Sequence, residues 1–496
     1  MVFIAAFIPI YFALKGRARL LWALSGSYFF YGWWDWRFLT LIAISTMVDY
    51  YLGASMGKEE NEKKRKQLLI TSMVLNLGLL GFFKYFNFFT ESFISMLQGF
   101  GLNPSIHTLK IILPVGISFY TFQSMSYTID IFRRQLKPEP DVIKFATFVA
   151  FWPQLVAGPI VRASDFLPQF QKDHDFKWER LTSGTAQVLW GFFKKVAVAD
   201  SLAPVVDQCW AEPMAFTSIN LWIAVVFYSF QIYCDFSGYS DIAIGFARIL
   251  GFDFPENFRT PYFSQNFSEF WRRWHISLSS WLRDYLYISL GGNRHGKFST
   301  YKNNMLTMLL GGLWHGANWT FVFWGFLHGL YLIGQRFLGQ PFGKLMDALY
   351  FPKALKMGVN ILLVYFLTCL AWIFFRSPNF GIATDIITNM ASFEGFNFVS
   401  VMNKFLVLKC ALLIGFLLSV EITDLKFNWG NLVMQKPVFS GSIICVFIVD
   451  DSFFWVFRIK CVYLFSILNL HEKYNLDHSR HRNRFFRRPG RWVYFK

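Results

Sequence analysis

An all-α polytopic membrane protein is the fold class this sequence predicts, on three observations. Of its 496 residues 54% are hydrophobic and only 16% charged, where a soluble globular domain carries about 25% charged residues. Apolar runs close to the roughly 20 residues that a helix needs to cross a bilayer recur along the chain, and short basic breaks divide them. The 61 phenylalanines and 19 tryptophans suit a many-helix bundle with aromatic belts at both interfaces. About ten to twelve membrane segments are expected on this reading. The formal charge of +17 belongs to the same pattern, since the basic breaks fix topology and meet the anionic headgroups of membrane lipids. Nucleic acid is not an expected partner.

The N-terminus, MVFIAAFIPIYFALKGRAR, carries its positive charges after the apolar run and shows no small-residue cleavage site, so it reads as a retained first helix rather than a signal peptide. Apolar stretches at 20–34 and 37–56 flank the cluster YFFYGWWDW, which predicts an interfacial turn. The loop KEENEKKRK at 58–66 is placed in the cytoplasm by its basic residues, and Arg133, Arg134 and Lys137 mark a second cytoplasmic edge after the runs at 68–90 and 109–131. Between 142 and 161, Pro153, Gly158 and Pro159 interrupt an apolar run. Proline removes a backbone donor and clashes with the turn before it, so a kinked or re-entrant element packed inside the protein is expected. A polar loop or short surface helix at 165–180 leads to a span at 183–203 that carries Lys194 and Lys195.

The next run, INLWIAVVFYSFQIYCDFSGYSDIAIGFARILGF, contains Gln231, Asp235 and Asp241. Acids inside an apolar run rarely face lipid, and no histidine or further acid stands at metal-ligand spacing, so pairing with backbone donors or arginines is expected. Residues 269–290, EFWRRWHISLSSWLRDYLYISL, repeat Trp271, Trp274, His275, Leu278 and Leu282 at helical spacing beside Arg272, Arg273 and Arg283, the pattern of a helix lying in or entering the interface. Segments at about 357–376, 404–422 and 438–468 follow the run 305–330. A single polytopic domain is therefore expected over 1–470, and the stretch 471–496, with eight Lys or Arg against two Asp or Glu, as a solvated, disordered basic tail.

The stretch Met305 to Leu330 holds two histidines and no charged residue. An ionisable group at membrane depth is costly and is by default a functional-site hypothesis. His315 stands in LWHGAN near Gly311, Gly312 and Gly316, where backbone or a thin substrate can approach closely. His328 is thirteen residues on, on another face if the helix is continuous. Either histidine can instead be a core residue bonded to a neighbouring carbonyl, the favoured reading for His328. Asn318, in the same motif, is grouped with Gln231, Asp235 and Asp241 as a structural polar core. The six cysteines form no C-x-x-C pair and read as small core hydrophobes, and no metal site is expected. No P-loop, Rossmann fingerprint, H-E-x-x-H or G-x-S-x-G occurs, so the usual devices for nucleotide hydrolysis, hydride transfer, zinc proteolysis and serine hydrolysis are missing. Two classes remain: an intramembrane transferase with histidine as general base, and a transporter or proton-coupled channel using the same groups as a relay.

The succession FWPQLVAGPI, QIYCDFSGYSDIAIG, NFRTPYFSQNFSEFWRRWHISLSSWLRDYLYISLGGNR and GGLWHGANWTFVFWGFLHG resembles the membrane-bound O-acyltransferase (MBOAT) family. LYISLGGNR is most similar to the bacterial alginate O-acetyltransferase branch, with peptidoglycan O-acetyltransferases close by and the D-alanyl transferases of teichoic acid synthesis further away. The resemblance implies a ring of membrane helices around a thin centre pierced by a tunnel, with acetyl arriving on a cytoplasmic thioester, acetyl-CoA or an acyl carrier. The acceptor would be a hydroxyl of an extracytoplasmic polysaccharide, reached directly or through a periplasmic or secreted acetyltransferase partner, and the chain would lie in the bacterial inner membrane. No bound cofactor is implied. His315 matches the family's catalytic histidine, and His275 the second family histidine on the donor side. Arg272, Arg273, Lys194 and Lys195 are candidates for the donor's phosphates, with plain interfacial anchoring as the alternative.

Overall fold

A computed structural model describes residues 2–102, 104, 108–172, 174–392 and 403–427, all within one unit, Met1–Trp429. Among these residues the chain is helical and no strand occurs. The expected segment at 438–468, the domain end at 470 and the tail at 471–496 lie outside the described residues. The first half comprises α1 Val2–Ala13, α2 Gly16–Asp35, α3 Arg37–Lys58, α4 Glu62–Leu80, α5 Phe86–Gly99, α6 Ile117–Phe132, α7 Val142–Ala150, α8 Trp152–Leu155, α9 Ala163–Phe166, α10 Trp178–Phe192 and α11 Asp200–Ala211. The second comprises α12 Ser218–Ile249, α13 Phe267–Arg273, α14 Ile276–Trp281, α15 Gly296–His315, α16 Trp319–Ala348, α17 Lys353–Arg376, α18 Phe380–Ser392 and α19 Lys404–Phe427.

Among the described residues five helices are long and apolar enough to cross a bilayer: Arg37–Lys58, the continuous Glu62–Gly99, Ser218–Ile249, Lys353–Arg376 and Lys404–Leu425. The expected ten to twelve is a loose count because apolar runs inside the bundle become short or interrupted helices rather than full spans. The run at 142–161 is such a case. It is broken at Phe151 into α7 and α8, and Phe145 through Leu155 is buried throughout, as its prolines predict. α6 is another, a helix rich in serine and threonine that is buried on nearly every side. The Ser72 hydroxyl donates to Asp49 at 2.6 Å and stands 3.0 Å from the Thr128 hydroxyl, so α3, α4 and α6 satisfy one another's polar groups away from water.

The interfacial turn expected at YFFYGWWDW is confined to the last residue of that cluster, Trp36, because α2 stays helical through Asp35 and α3 begins at Arg37. No proline stands in that cluster, and the exposed Trp33 and Trp34 on α2 with Trp36 at the turn suit an aromatic belt. The two basic edges predicted to be cytoplasmic come together. Arg134 pairs with Glu62 at 2.7 Å, and the buried Arg65 donates to the terminal carbonyls Ile131 and Phe132 of α6 at 2.9 and 3.0 Å.

Residues 269–290 depart from the expected interfacial helix. The chain breaks at His275, whose φ of +42° lies in the left-handed region, and Phe270, Trp274, His275 and Leu278 are buried. The helical spacing marks a buried face, and of the arginines beside it Arg273 and Arg283 are held by the local acids Glu269 and Asp284. α10 and α12 meet backbone to backbone, because a Cβ at Gly238 would lie 2.8 Å from the Gly191 carbonyl oxygen and one at Gly184 would lie 2.6 Å from that of Gly245. Small residues at seven-residue spacing on both helices permit this approach.

Candidate active site

α15 and α16 form a close hairpin. A Cβ on Gly312 or on Gly325 would enter the facing backbone, at Phe321 and Met308 respectively. α15 ends at His315 because Gly316 takes an extended conformation, φ −159° and ψ 149°, and Asn318 begins α16 by accepting from the Thr320 amide at 3.0 Å. The stretch Met305 to Leu330 is thus two helices, and His315 and His328 do not share one. Asn318 is correspondingly not part of a polar core with Asp235 and Asp241. It is a helix cap whose side-chain amide also donates to the Pro378 carbonyl at 2.7 Å.

His315 lies on the wall of a cavity of about 270 Å³, together with Lys84, Ser118, Asp235, Trp314 and Trp372. Its ring is framed by Trp324 and Phe375, with centroids at 5.1 and 5.2 Å in edge contacts. Among the described residues no protein group bonds its ring nitrogens, so the reading of a core histidine tied to a carbonyl does not hold. What remains is an imidazole presented to a space.

His275 stands behind it, ring centroids 6.4 Å apart, and is fully buried. Its Nδ1 is 3.1 Å from Asn257 Oδ1, which also accepts from the Ser277 amide at 3.1 Å and the Ser277 hydroxyl at 2.9 Å. The Ser277 amide can only donate, which assigns the oxygen of Asn257 to this side and its nitrogen to Ser240 Oγ, 3.0 Å away. His275 must therefore donate from Nδ1, leaving a lone pair on Nε2 that has no protein partner among the described residues.

The four candidates for phosphate contact are not brought together at the cavity. Lys194 pairs with Asp241, Lys195 with Asp235 and Asp200 at 2.6 and 2.7 Å, and Arg273 with Glu269 at 2.6 Å. Arg272 is exposed and makes no ion pair among the described residues. Lysines therefore answer Asp235 and Asp241, with Gln187 also donating to Asp241 at 3.2 Å, in place of the arginines or backbone donors expected, because the glycine contacts set the lysine-bearing π-helical turn Phe193–Ala199 against α12. Gln231 is half-buried and its Oε1 has no partner among the described residues. His328 is buried as expected, but neither ring nitrogen meets a carbonyl among the described residues; Trp271 and Trp324 stand edge-on at 5.1 and 4.8 Å and Phe270 stacks at 5.9 Å. Cys209, Cys234, Cys369 and Cys410 are free and buried. On the side of the basic edges, Asp284 pairs with Arg162 at 2.6 Å and with Arg283 at 2.6 Å. Partial burial pushes its carboxyl up, and the hydrogen bonds from Arg283 and Arg162 outweigh this and hold it below the usual carboxylate range.

Two residues of this site were not anticipated. Asn257 lies in a loop with no periodic signal. Lys84 does carry one, as the only charge between Lys66 and Glu91, and an isolated ion in an apolar run is itself a pointer to function.

Fold and site together define a class: a multi-pass helical membrane protein that holds an unbonded imidazole on an internal cavity, with a second, oriented imidazole at its back. The chain belongs to the membrane-bound O-acyltransferase family, whose model matches residues 28–375, and it is an acyltransferase. It is 44% identical over 396 residues to the probable alginate O-acetylase AlgI of Azotobacter vinelandii, covering 79% of this chain and 76% of that one. Identity to the protein of the same name from Pseudomonas aeruginosa is 43% over 394 residues, or 79% and 73% of the two chains. The peptidoglycan O-acetyltransferase of Helicobacter pylori is 34% identical over 429 residues, 79% of each chain.

Proposed function

We propose that this chain transfers acetyl from acetyl-CoA, presented at the cytoplasmic face of a bacterial inner membrane, to hydroxyls of an extracytoplasmic polysaccharide, alginate or a similar exopolysaccharide, directly or through a periplasmic or secreted partner protein. The observation that carries the reading is His315, an unbonded imidazole on the cavity wall. In this mechanism it accepts the hydroxyl proton as the acceptor oxygen adds to the thioester carbonyl. The tetrahedral adduct then collapses, the C–S bond breaks, and the departing thiolate takes a proton back. The alginate acceptor is favoured by the relatives named alginate O-acetylase, which are more similar to this chain than the peptidoglycan enzyme is.

The test is acetyl transfer from radiolabelled acetyl-CoA by purified protein, with alginate and peptidoglycan fragments as competing acceptors and with the partner protein present or absent. A positioned general base contributes about 10²- to 10⁴-fold in rate, so His315→Ala should fall to near background with donor binding little changed. Near-wild-type turnover by that variant would sink the catalytic assignment. Transfer to peptidoglycan alone would move the acceptor, and wild-type protein that transfers nothing but moves protons or polysaccharide across vesicles would replace the enzyme with a transporter.

A further inference from the structure

Lys84 sits in the π-helical turn Gly81–Tyr85 that joins α4 to α5, in the middle of a continuous apolar helix. A π-turn inserts one extra residue and re-aims the side chains around it, and such turns concentrate at functional sites. Here the turn carries Lys84 inward to the cavity wall shared with His315. Its Nζ donates to Ser118 Oγ at 3.0 Å and to the carbonyl of Trp314, the peptide group that leads directly into His315, and it stands 5.5 Å from the Trp314 ring centroid. The neighbouring Tyr85 hydroxyl donates to the Leu313 carbonyl at 2.9 Å. These two residues thus serve carbonyls at the end of α15 that have no partner within the helix.

Capping explains only part of the arrangement. Tyr85 shows that a neutral hydroxyl is enough to serve a terminal carbonyl, and a full positive charge at membrane depth is costly unless an anion answers it. Among the described residues none does. Asp235, on the same cavity wall, is held by Lys195 at 2.6 Å. An ammonium has three hydrogens; two are engaged by Ser118 and Trp314, and the third is left for the cavity. The anion that would complete this site is one that exists only while the reaction is under way.

We propose that Lys84 is a further catalytic residue, the electrostatic partner of the oxyanion formed on the acyl carbonyl while His315 holds the acceptor's proton. This rests on the acyl-transfer reading above. As the acceptor oxygen bonds to the carbonyl carbon, the carbonyl electron pair moves onto oxygen, and the Lys84 N–H receives that oxygen without giving up its proton. On collapse the pair returns, the C–S bond breaks, and the thiolate leaves with the proton held by His315. The bonds to Ser118 and Trp314 hold the charge in place, so no reorganisation is needed as the oxyanion develops.

The test uses full-length protein in nanodiscs with acetyl-CoA as donor, comparing Lys84→Met, Lys84→Gln, Lys84→Arg and His315→Ala for kcat, KM and thermal stability. Loss of one preorganised oxyanion donor costs about 10²- to 10³-fold in kcat, so Lys84→Met should show that loss with KM for the donor nearly unchanged. Lys84→Gln keeps an N–H for the Trp314 carbonyl without the charge, and serves if the methionine variant does not fold. Its kcat should stay as low as that of Lys84→Met, and Lys84→Arg should recover a substantial part. Full recovery by Lys84→Gln would reduce Lys84 to a helix cap and overturn the proposal, as would near-wild-type kcat in Lys84→Met. If wild type is inactive or His315→Ala is unaffected, the acyl-transfer reading fails instead; loss in His315→Ala beside normal Lys84→Met turnover sinks this proposal alone.

Discussion

Replacing Asn257 tests whether the second histidine is oriented by this residue. Asn257 is 1% exposed and makes four side-chain hydrogen bonds: from the Ser277 amide, the Ser277 hydroxyl and His275 Nδ1 to its oxygen, and from its nitrogen to Ser240. In Asn257→Ala the two hydroxyls can rotate to other partners, but the Ser277 amide and the His275 N–H are fixed donors in a buried place. Each buried donor left unsatisfied costs about 1–3 kcal/mol, so a loss of about 2–6 kcal/mol is expected. Asn257→Asp keeps the acceptor for both fixed donors, and the Ser240 hydroxyl can turn to donate to its second oxygen, so it should retain more stability than Asn257→Ala. The catalytic consequence is separate. Without the Asn257 oxygen nothing selects the Nδ1–H form of His275, and turnover should drop in Asn257→Ala even at temperatures where the protein stays folded. Thermal melting of purified protein, with acetyl transfer measured well below the transition, separates the two effects; Ser240→Ala, which disturbs only the nitrogen side, is the control. Unchanged melting and unchanged turnover in Asn257→Ala would refute the reasoning.

Gly238→Val should separate α10 from α12, since even its Cβ would stand 2.8 Å from the Gly191 carbonyl oxygen; loss of monodisperse protein in size-exclusion chromatography is the expected result, whereas Gly415→Ala, with open space around its added Cβ, should leave the profile unchanged. Because the Asp284 carboxyl is held below its usual range by Arg283 and Arg162, its contribution to stability should be fully present above the unfolded value of about 4 and be lost as pH falls through the lower folded value. Asp284→Asn should therefore melt lower than wild type at neutral pH and converge with it in acid; a constant gap across that range would contradict the assignment. Single cysteines placed in the loop 58–66 and beside Arg134 should behave alike toward a membrane-impermeant thiol reagent, since Glu62 and Arg134 are paired at 2.7 Å, and both should resist labelling until cells are permeabilised. Labelling of either in intact cells would reverse the orientation.

The features that the sequence determined by itself are those written in local pattern. Apolar runs with basic breaks specify a helical membrane protein because no backbone group can go unpaired in hydrocarbon, whatever its neighbours. Pro153, Gly158 and Pro159 specify an interrupted element because proline acts on its own turn. His315 was visible as an ionisable group among glycines in an uncharged run, and Asp235 and Asp241 as acids that needed partners. The identity of those partners was not visible. Lys195 meets Asp235 because glycines forty-odd residues apart in sequence let two helices touch, and Lys84 reaches the Trp314 carbonyl across 230 positions of chain. The break at His275 was hidden for a related reason. Tryptophan, leucine and histidine at three- and four-residue spacing look the same on an interfacial helix as on two short buried ones, and the choice is made by Asn257, a loop residue that grips His275 and Ser277 from outside the pattern. Local pattern reports what each segment must bury, because that depends on the residue's own chemistry and the helical repeat. Which polar group answers which depends on the order in which helices pack around the centre, and only the tertiary structure decides that.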